Sequence, residues 1–246
     1  MKLFLYLFVF TSLSVILSSC VNNDFILGKH VHGLGGTTTE TRDVRAFDEV
    51  EITNNSDVEI YKSNELTVEV SDYSNLVKYT VVEVEGRRLM IKTEPDNISL
   101  SDSKSKVIIH IPDNLKVLHI SGSGNMILKD GFTDISKISI SGSGNIEASK
   151  PCNLNNVTAT ISGSGDISFK GNANNVTLQI SGSGDIDFSD VKSQNAVSQI
   201  SGSGNINMYA TGTLDANISG SGDIEYYGHP TVNSSVSGSG SVTHKE

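Results

Sequence analysis

Asparagine or aspartate recurs at one position of a repeated pattern in this chain: Asn125, Asn145, Asp166, Asp185, Asn205 and Asp223, each directly after a copy of the tetrapeptide SGSG. Two residues further on stand Glu147, Asp187 and Glu225. If the copies lie above one another, Asp166, Asp185 and Asp187 share one face, with neighbouring charges about 5–7 Å apart. Carboxylates at that spacing could hold a hard cation such as calcium, which takes several oxygen ligands. They could also form the acid and base pair of a polysaccharide-cleaving enzyme. A plainer role competes with both: Asn or Asp after glycine satisfies backbone donors in bends. The amides also interrupt the charges and limit repulsion. The structural role is expected to prevail. Asp166, Asp185, Asp187, Asp223 and Glu225 remain a candidate ligand or cation face, with calcium as a weak occupant. No catalytic residue, metal centre or cofactor is expected.

Other reactive side chains give less. Tyr209 and Tyr227 fall at equivalent outward positions on adjacent repeats, where two rings could stack on a sugar. The chain has no Trp to strengthen that platform. His30 and His32 alternate without further ligands nearby. His110 and His119 read as ordinary strand histidines. The only arginines are Arg42, Arg45, Arg87 and Arg88, so a lyase-like basic group in the repeats would have to be Lys129 or Lys170. Cys152 reads as a small buried hydrophobe near a bend.

The elements that must position these residues follow from the tetrapeptide itself. It begins at 121, 141, 162, 181, 201, 219 and 237, a spacing of 18 to 21 residues. Helices do not tolerate such glycines, and the period is too short for a βαβ unit. It fits one coil of a parallel β-helix, with coils about 4.8 Å apart. Counting by twos, Val176, Leu178, Ile180, Gly182, Gly184, Ile186 and Phe188 lie on one side of an extended chain. That side is the interior, and the serines and Asn/Asp point out. The glycines are expected where walls approach or the backbone takes unusual angles. An inward column of Leu128, Ala148, Phe169, Phe188, Met208 and Tyr226 should stack Phe169 on Phe188. Upstream, FDEVEI, DVEIYKS, LTVEVSD, VKYTVVEVEG, RRLMIKTE and KVIIHIP read as about six strands, with VEGRRL as a hairpin tip.

Residues 1–20 form a targeting segment: Lys2, an apolar run over 3–17, then LSSC. The ending resembles a bacterial lipobox, which implies cleavage before Cys20 and its acylation. Without 1–19 the chain has 17 basic and 28 acidic residues, net −11. That balance disfavours nucleic acid.

RDVRAFDEVEI, GRRLMIKTE and the serial SGSGNI and SGSGDI copies together resemble the auto-transporter adhesin head GIN domain family. That family is abundant in envelope lipoproteins of Bacteroidetes, and its domain has no known function. The resemblance covers about residues 44–225. It implies a right-handed parallel β-helix on the cell envelope, and it brings no catalytic motif.

The expected organisation is a signal peptide over 1–19, a lipidated tether over 20–43, and an all-β solenoid over 44–246. Its strands are less regular over 44–115, and seven coils follow over 116–246. The expected protein is an outer-membrane lipoprotein, facing either the periplasm or the cell surface, with a non-catalytic adhesive, binding or structural role. A carbohydrate-binding or polysaccharide-cleaving module is the alternative. The expected partners are the membrane, through the lipid, and a glycan or protein. A second copy is a further candidate, because an open final coil invites pairing.

Overall fold

The computed structural model describes residues 29–246. The signal peptide, the lipidation candidate Cys20 and residues 21–28 lie outside the described residues. Among the described residues, alternation of β-branched and polar residues produces strands almost throughout, and the only helical piece is a 3-10 turn at Val77–Tyr79. No helix among the described residues is long and apolar enough to cross a membrane.

Two walls of parallel strands run along a solenoid, and the tetrapeptides form the corner between them. The first wall contains β3 (Glu49–Ile52), β10 (Val117–Ile120) and β12 (Lys137–Ile140). It continues through the ends of β14 (Cys152–Ile161), β15 (Ile167–Ile180), β16 (Ile186–Ile200) and β17 (Ile206–Gly220), and finishes at β19 (Thr231–Gly238). The second contains β4 (Asp57–Lys62), β11 (Met126–Leu128) and β13 (Ile146–Ala148), then the starts of β15 to β17. It finishes at β18 (Ile224–Tyr227) and β20 (Val242–His244).

The register is the one the tetrapeptide spacing requires. Ile52, Ile120, Ile140, Ile161, Ile180, Ile200, Ile218 and Val236 stand in one column. All but Val236 are buried. Such a column makes a core from coils that individually bury almost nothing. Phe169 and Phe188 meet in it at 5.7 Å between ring centroids. Cys152 is buried there as well, and its burial pushes the thiol pKa up. Val232 and Val236 are exposed because, among the described residues, β19 pairs on one side only, with β17.

The N-terminal region differs from a simple run of irregular coils. The layer on the far side of β3 and β4 is built from later sequence: β7 (Arg88–Thr93) pairs with β3, and β9 (Lys106–Ile111) with β4, both parallel. Outside that layer, β6 (Thr80–Glu85) and β5 (Thr67–Tyr73) run antiparallel to β7 and β9 and close the end. The expected hairpin tip falls between β6 and β7, where Gly86 takes φ +62°, a region that favours glycine.

The expected tether needs correction. Residues 29–42 are not an unstructured spacer: β1 (Lys29–His32) pairs with β8 (Ile98–Ser101), and β2 (Thr37–Arg42) pairs antiparallel with β5. The Thr-rich stretch TTTETR has strand propensity, and the open edge of β5 gives it a ladder to join.

Candidate binding face

At each corner the backbone of one coil lies directly on the next. The N–H of Ser143, Ser164, Ser183, Ser203, Ser221 and Ser239 donates to the carbonyl of the first tetrapeptide glycine one coil back, at 3.0–3.1 Å. The tetrapeptide serines thus bond neighbouring turns through their backbone. Among the described residues, their hydroxyls take no protein partner.

The glycines have a different reason from the expected one. A Cβ at Gly142, Gly144, Gly163, Gly165, Gly182 or Gly184 would overlap the carbonyl oxygen of the equivalent glycine one coil back. None of these six has positive φ. The requirement is therefore axial clearance rather than unusual backbone angles. The Cα hydrogen faces that carbonyl, as in strand-to-strand Cα–H···O contacts.

The Asn/Asp column completes the corner. The Oδ1 of each residue accepts the backbone N–H of its equivalent one coil on: Asn125 from Asn145 at 3.0 Å, Asn145 from Asp166 at 2.8 Å, and Asp166 from Asp185 at 2.9 Å. Asp185 then accepts from Asn205 at 2.6 Å, Asn205 from Asp223 at 3.0 Å, and Asp223 from Ser241 at 2.7 Å. The column starts one coil earlier than the tetrapeptides do, since Asn125 Nδ2 donates to Asp57 Oδ1 at 2.8 Å. An Asn or an Asp serves equally as acceptor, because the backbone N–H of the following coil is taken by Oδ1 in every case.

This geometry places the candidate residues individually. Asp166 and Asp185 are neighbours in one column. Asp187 stands in the next column, between Ser168 and Asn207, and its Oδ1 is turned to Ser189, accepting from Oγ at 2.6 Å and N–H at 3.0 Å. Asp166 and Asp185 thus share one column and Asp187 stands in the next, as the spacing places them, and each carboxylate is engaged by hydrogen bonds. Glu225 pairs with Lys245 at 2.9 Å. No group of three or more His, Cys, Asp and Glu side chains among the described residues is arranged to hold a metal ion. Tyr209 and Tyr227 are paired in register as expected. Lys192 flanks Tyr209 on the other side, and the Tyr209 ring lies against Gly228.

Several features of the outer surface were missed in the sequence. Asn156, Asn175 and Asn195 form a second ladder, with Nδ2 to Oδ1 distances of 2.6 and 3.0 Å. The regular period could have revealed it. On the second wall, Glu59 accepts from Tyr61 at 2.9 Å and pairs with Lys106 at 3.1 Å and Lys129 at 3.7 Å. Burial raises the Glu59 carboxyl, but these partners outweigh it and hold the group below the usual glutamate range. His110 stacks on Tyr61 at 5.3 Å, and His119 bonds Ser139 at 2.7 Å, so both are ordinary strand histidines.

The family described as "Putative auto-transporter adhesin, head GIN domain" matches residues 46–230. No curated protein matches the chain. Among solved structures, a "putative lipid binding protein" from Parabacteroides distasonis is 30% identical, with a TM-score of 0.74, covering 89% of this chain and 100% of its own. A "putative adhesin" from the same species is 27% identical, with a TM-score of 0.66 and coverage of 88% and 100%. Another from Bacteroides fragilis, 21% identical, has a TM-score of 0.79 and covers 87% and 100%, which shows the shared fold.

Proposed function

The chain belongs to the auto-transporter adhesin head GIN domain family, and on that premise we propose that it is an envelope lipoprotein that presents a rigid, non-catalytic binding surface. In this reading, residues 1–19 are a signal peptide and acylation of Cys20 holds the protein at the outer membrane. Several acyl chains give stable anchoring where one does not.

One observation carries the non-catalytic reading. The carboxylates of Asp166, Asp185 and Asp223 each accept a backbone N–H from the following coil. They serve as corner braces rather than as a facing acid and base. A solenoid braced in this way offers long, fixed rows of side chains to a partner.

The adjacent Tyr209 and Tyr227 favour a glycan as that partner, since sugars dock on tyrosine faces flanked by donors such as Lys192. Self-association through the edge of β19 that has no partner strand among the described residues accompanies this reading. Three measurements test the whole. An alkyne-tagged fatty acid should label the chain in cells, and Cys20→Ser should abolish the label. A glycan array should show binding that Tyr209→Ala with Tyr227→Ala removes. Sedimentation should show a dimer; a strict monomer overturns that part. Cleavage of a polysaccharide, lost in Asp166→Asn with Asp185→Asn, would overturn the non-catalytic reading.

A further inference from the structure

We infer that Tyr209 and Tyr227 are one end of a longer track, along which an uncharged polysaccharide strand runs parallel to the solenoid axis into a cleft walled by Asn153, Asn155, Asn172 and Asn174. Such a track rests on the glycan reading above and extends it.

The register makes the track continuous. Asn153 pairs with Asn172, Asn172 with Lys192, Lys192 with Tyr209, and Tyr209 with Tyr227. These side chains stand on consecutive coils, and none of them is buried. Four coil steps extend about 19 Å. A pyranose unit is close to one such step in length, so a sugar chain laid along the column meets one side chain per ring.

The far end of the column is a cleft of about 250 Å³, lined by Asn153, Leu154, Asn155, Asn172, Ala173 and Asn174. Leu154 is buried and Ala173 partly so, which gives an apolar floor. The asparagines rise on both sides of it, because residues two apart in a strand share a face. An apolar floor between a few polar groups suits a sugar ring, with its C–H face and its rim of hydroxyls.

The amides are held ready. Asn174 Nδ2 donates to Asn155 Oδ1 at 2.6 Å, which fixes both side chains and leaves Asn155 Nδ2 and Asn174 Oδ1 free. Among the described residues, the Asn153 and Asn172 side chains take no protein hydrogen bond. Each amide carries both donors and an acceptor, as neighbouring sugar hydroxyls require. Amides fixed before binding lower the cost of ordering the site.

Charge selects the class of glycan. Beside the column, Lys150, Lys170 and Lys192 nearly cancel against Asp134 and Asp190, and Lys170 stands opposite Asp190 in register. The chain as a whole has formal charge −10, which repels an acidic polysaccharide. A neutral strand is therefore the occupant.

The test is an array of neutral and uronic-acid oligosaccharides of increasing length, probed with the full chain. The protein should favour neutral chains, with binding that rises up to about five units and then levels. Asn153→Ala with Asn172→Ala should weaken the long neutral chains about tenfold and leave the shortest ones and the melting temperature unchanged. Should that variant be unstable, Asn172→Tyr decides: it lengthens the aromatic platform and should strengthen the long chains. Binding that Tyr209→Ala with Tyr227→Ala removes, but that neither asparagine variant alters, overturns the track and leaves the tyrosine site standing. So does binding that does not grow with chain length. Preference for the acidic chains overturns the neutral class. Binding to no glycan overturns the tyrosine site and the track together.

Discussion

The Oδ1 atom of Asp185 accepts two hydrogen bonds from Asn205 one coil on, from its backbone N–H at 2.6 Å and its side-chain Nδ2 at 3.1 Å. A residue that could look like a catalytic carboxylate is here an acceptor that closes the backbone ladder at a bend. Other members of the column do the same with a neutral amide, so charge is incidental to the task.

Asp185→Asn keeps the acceptor and should leave stability almost unchanged. Asp185→Ala leaves the Asn205 N–H to solvent and should destabilise by about 1 kcal/mol, the usual size for such a bond at an exposed site. Urea unfolding of the two variants checks this; equal losses would show that charge, not the Oδ1 acceptor, matters.

Gly163→Ala places a methyl group against the Gly142 carbonyl. Only backbone movement relieves that contact, so the variant should lose about 1–3 kcal/mol, as overpacked sites do, or fail to fold. Gly36→Ala is the control, since nothing lies within 4 Å of its Cβ position. It should be neutral or stabilising by about 0.4–1 kcal/mol through the unfolded chain. Thermal denaturation compares the pair.

Phe188→Ala empties the aromatic pair at the centre of the array and should cost about 3–5 kcal/mol. A double-mutant cycle with Phe169→Leu and Phe188→Leu should give a coupling of about 0.5–1.5 kcal/mol. Zero coupling would mean the rings are merely adjacent.

Asp48 supplies a pH dependence. It is only 4% exposed, and Arg87 first, then Lys116, hold its carboxyl below the ordinary value of 3.8 against the opposing effect of burial. Because the folded pKa is the lower one, the unfolded chain takes up the proton first as pH falls. The stabilisation is complete above about pH 4 and is lost as pH drops through the folded value. Asp48→Asn should therefore destabilise at pH 7 and much less at pH 3, by urea midpoint. A constant difference at both pH values would sink the assignment.

Much of the solenoid is legible in the chain. The two-residue alternation running unbroken through SGSG fixes which side chains face inward, and the spacing fixes which residues share a column. Phe169 and Phe188, Tyr209 and Tyr227, and the Asn/Asp column follow from that register alone. The coil that lacks the motif was not legible. Thr53–Ser56 forms the same corner beneath Ser121–Gly124, and Ser123 N–H donates to the Asn54 carbonyl at 3.0 Å. It carries no glycine because the layer below it detours through residues 94–105. Side chains then fit where a carbonyl would otherwise stand: Ser56 Oγ meets Ser105 Oγ at 2.7 Å.

The sequence by itself therefore determined the repeat, its register and its inward and outward faces, because these depend on local alternation and a fixed period. The tertiary structure alone decided the insertion of β7 and β9 beneath an earlier coil, the recruitment of residues 29–42 as strands, and the engagement of each carboxylate. Those outcomes depend on backbone groups far apart in the chain meeting across an axial gap of one strand. No local pattern states which carbonyl will stand there.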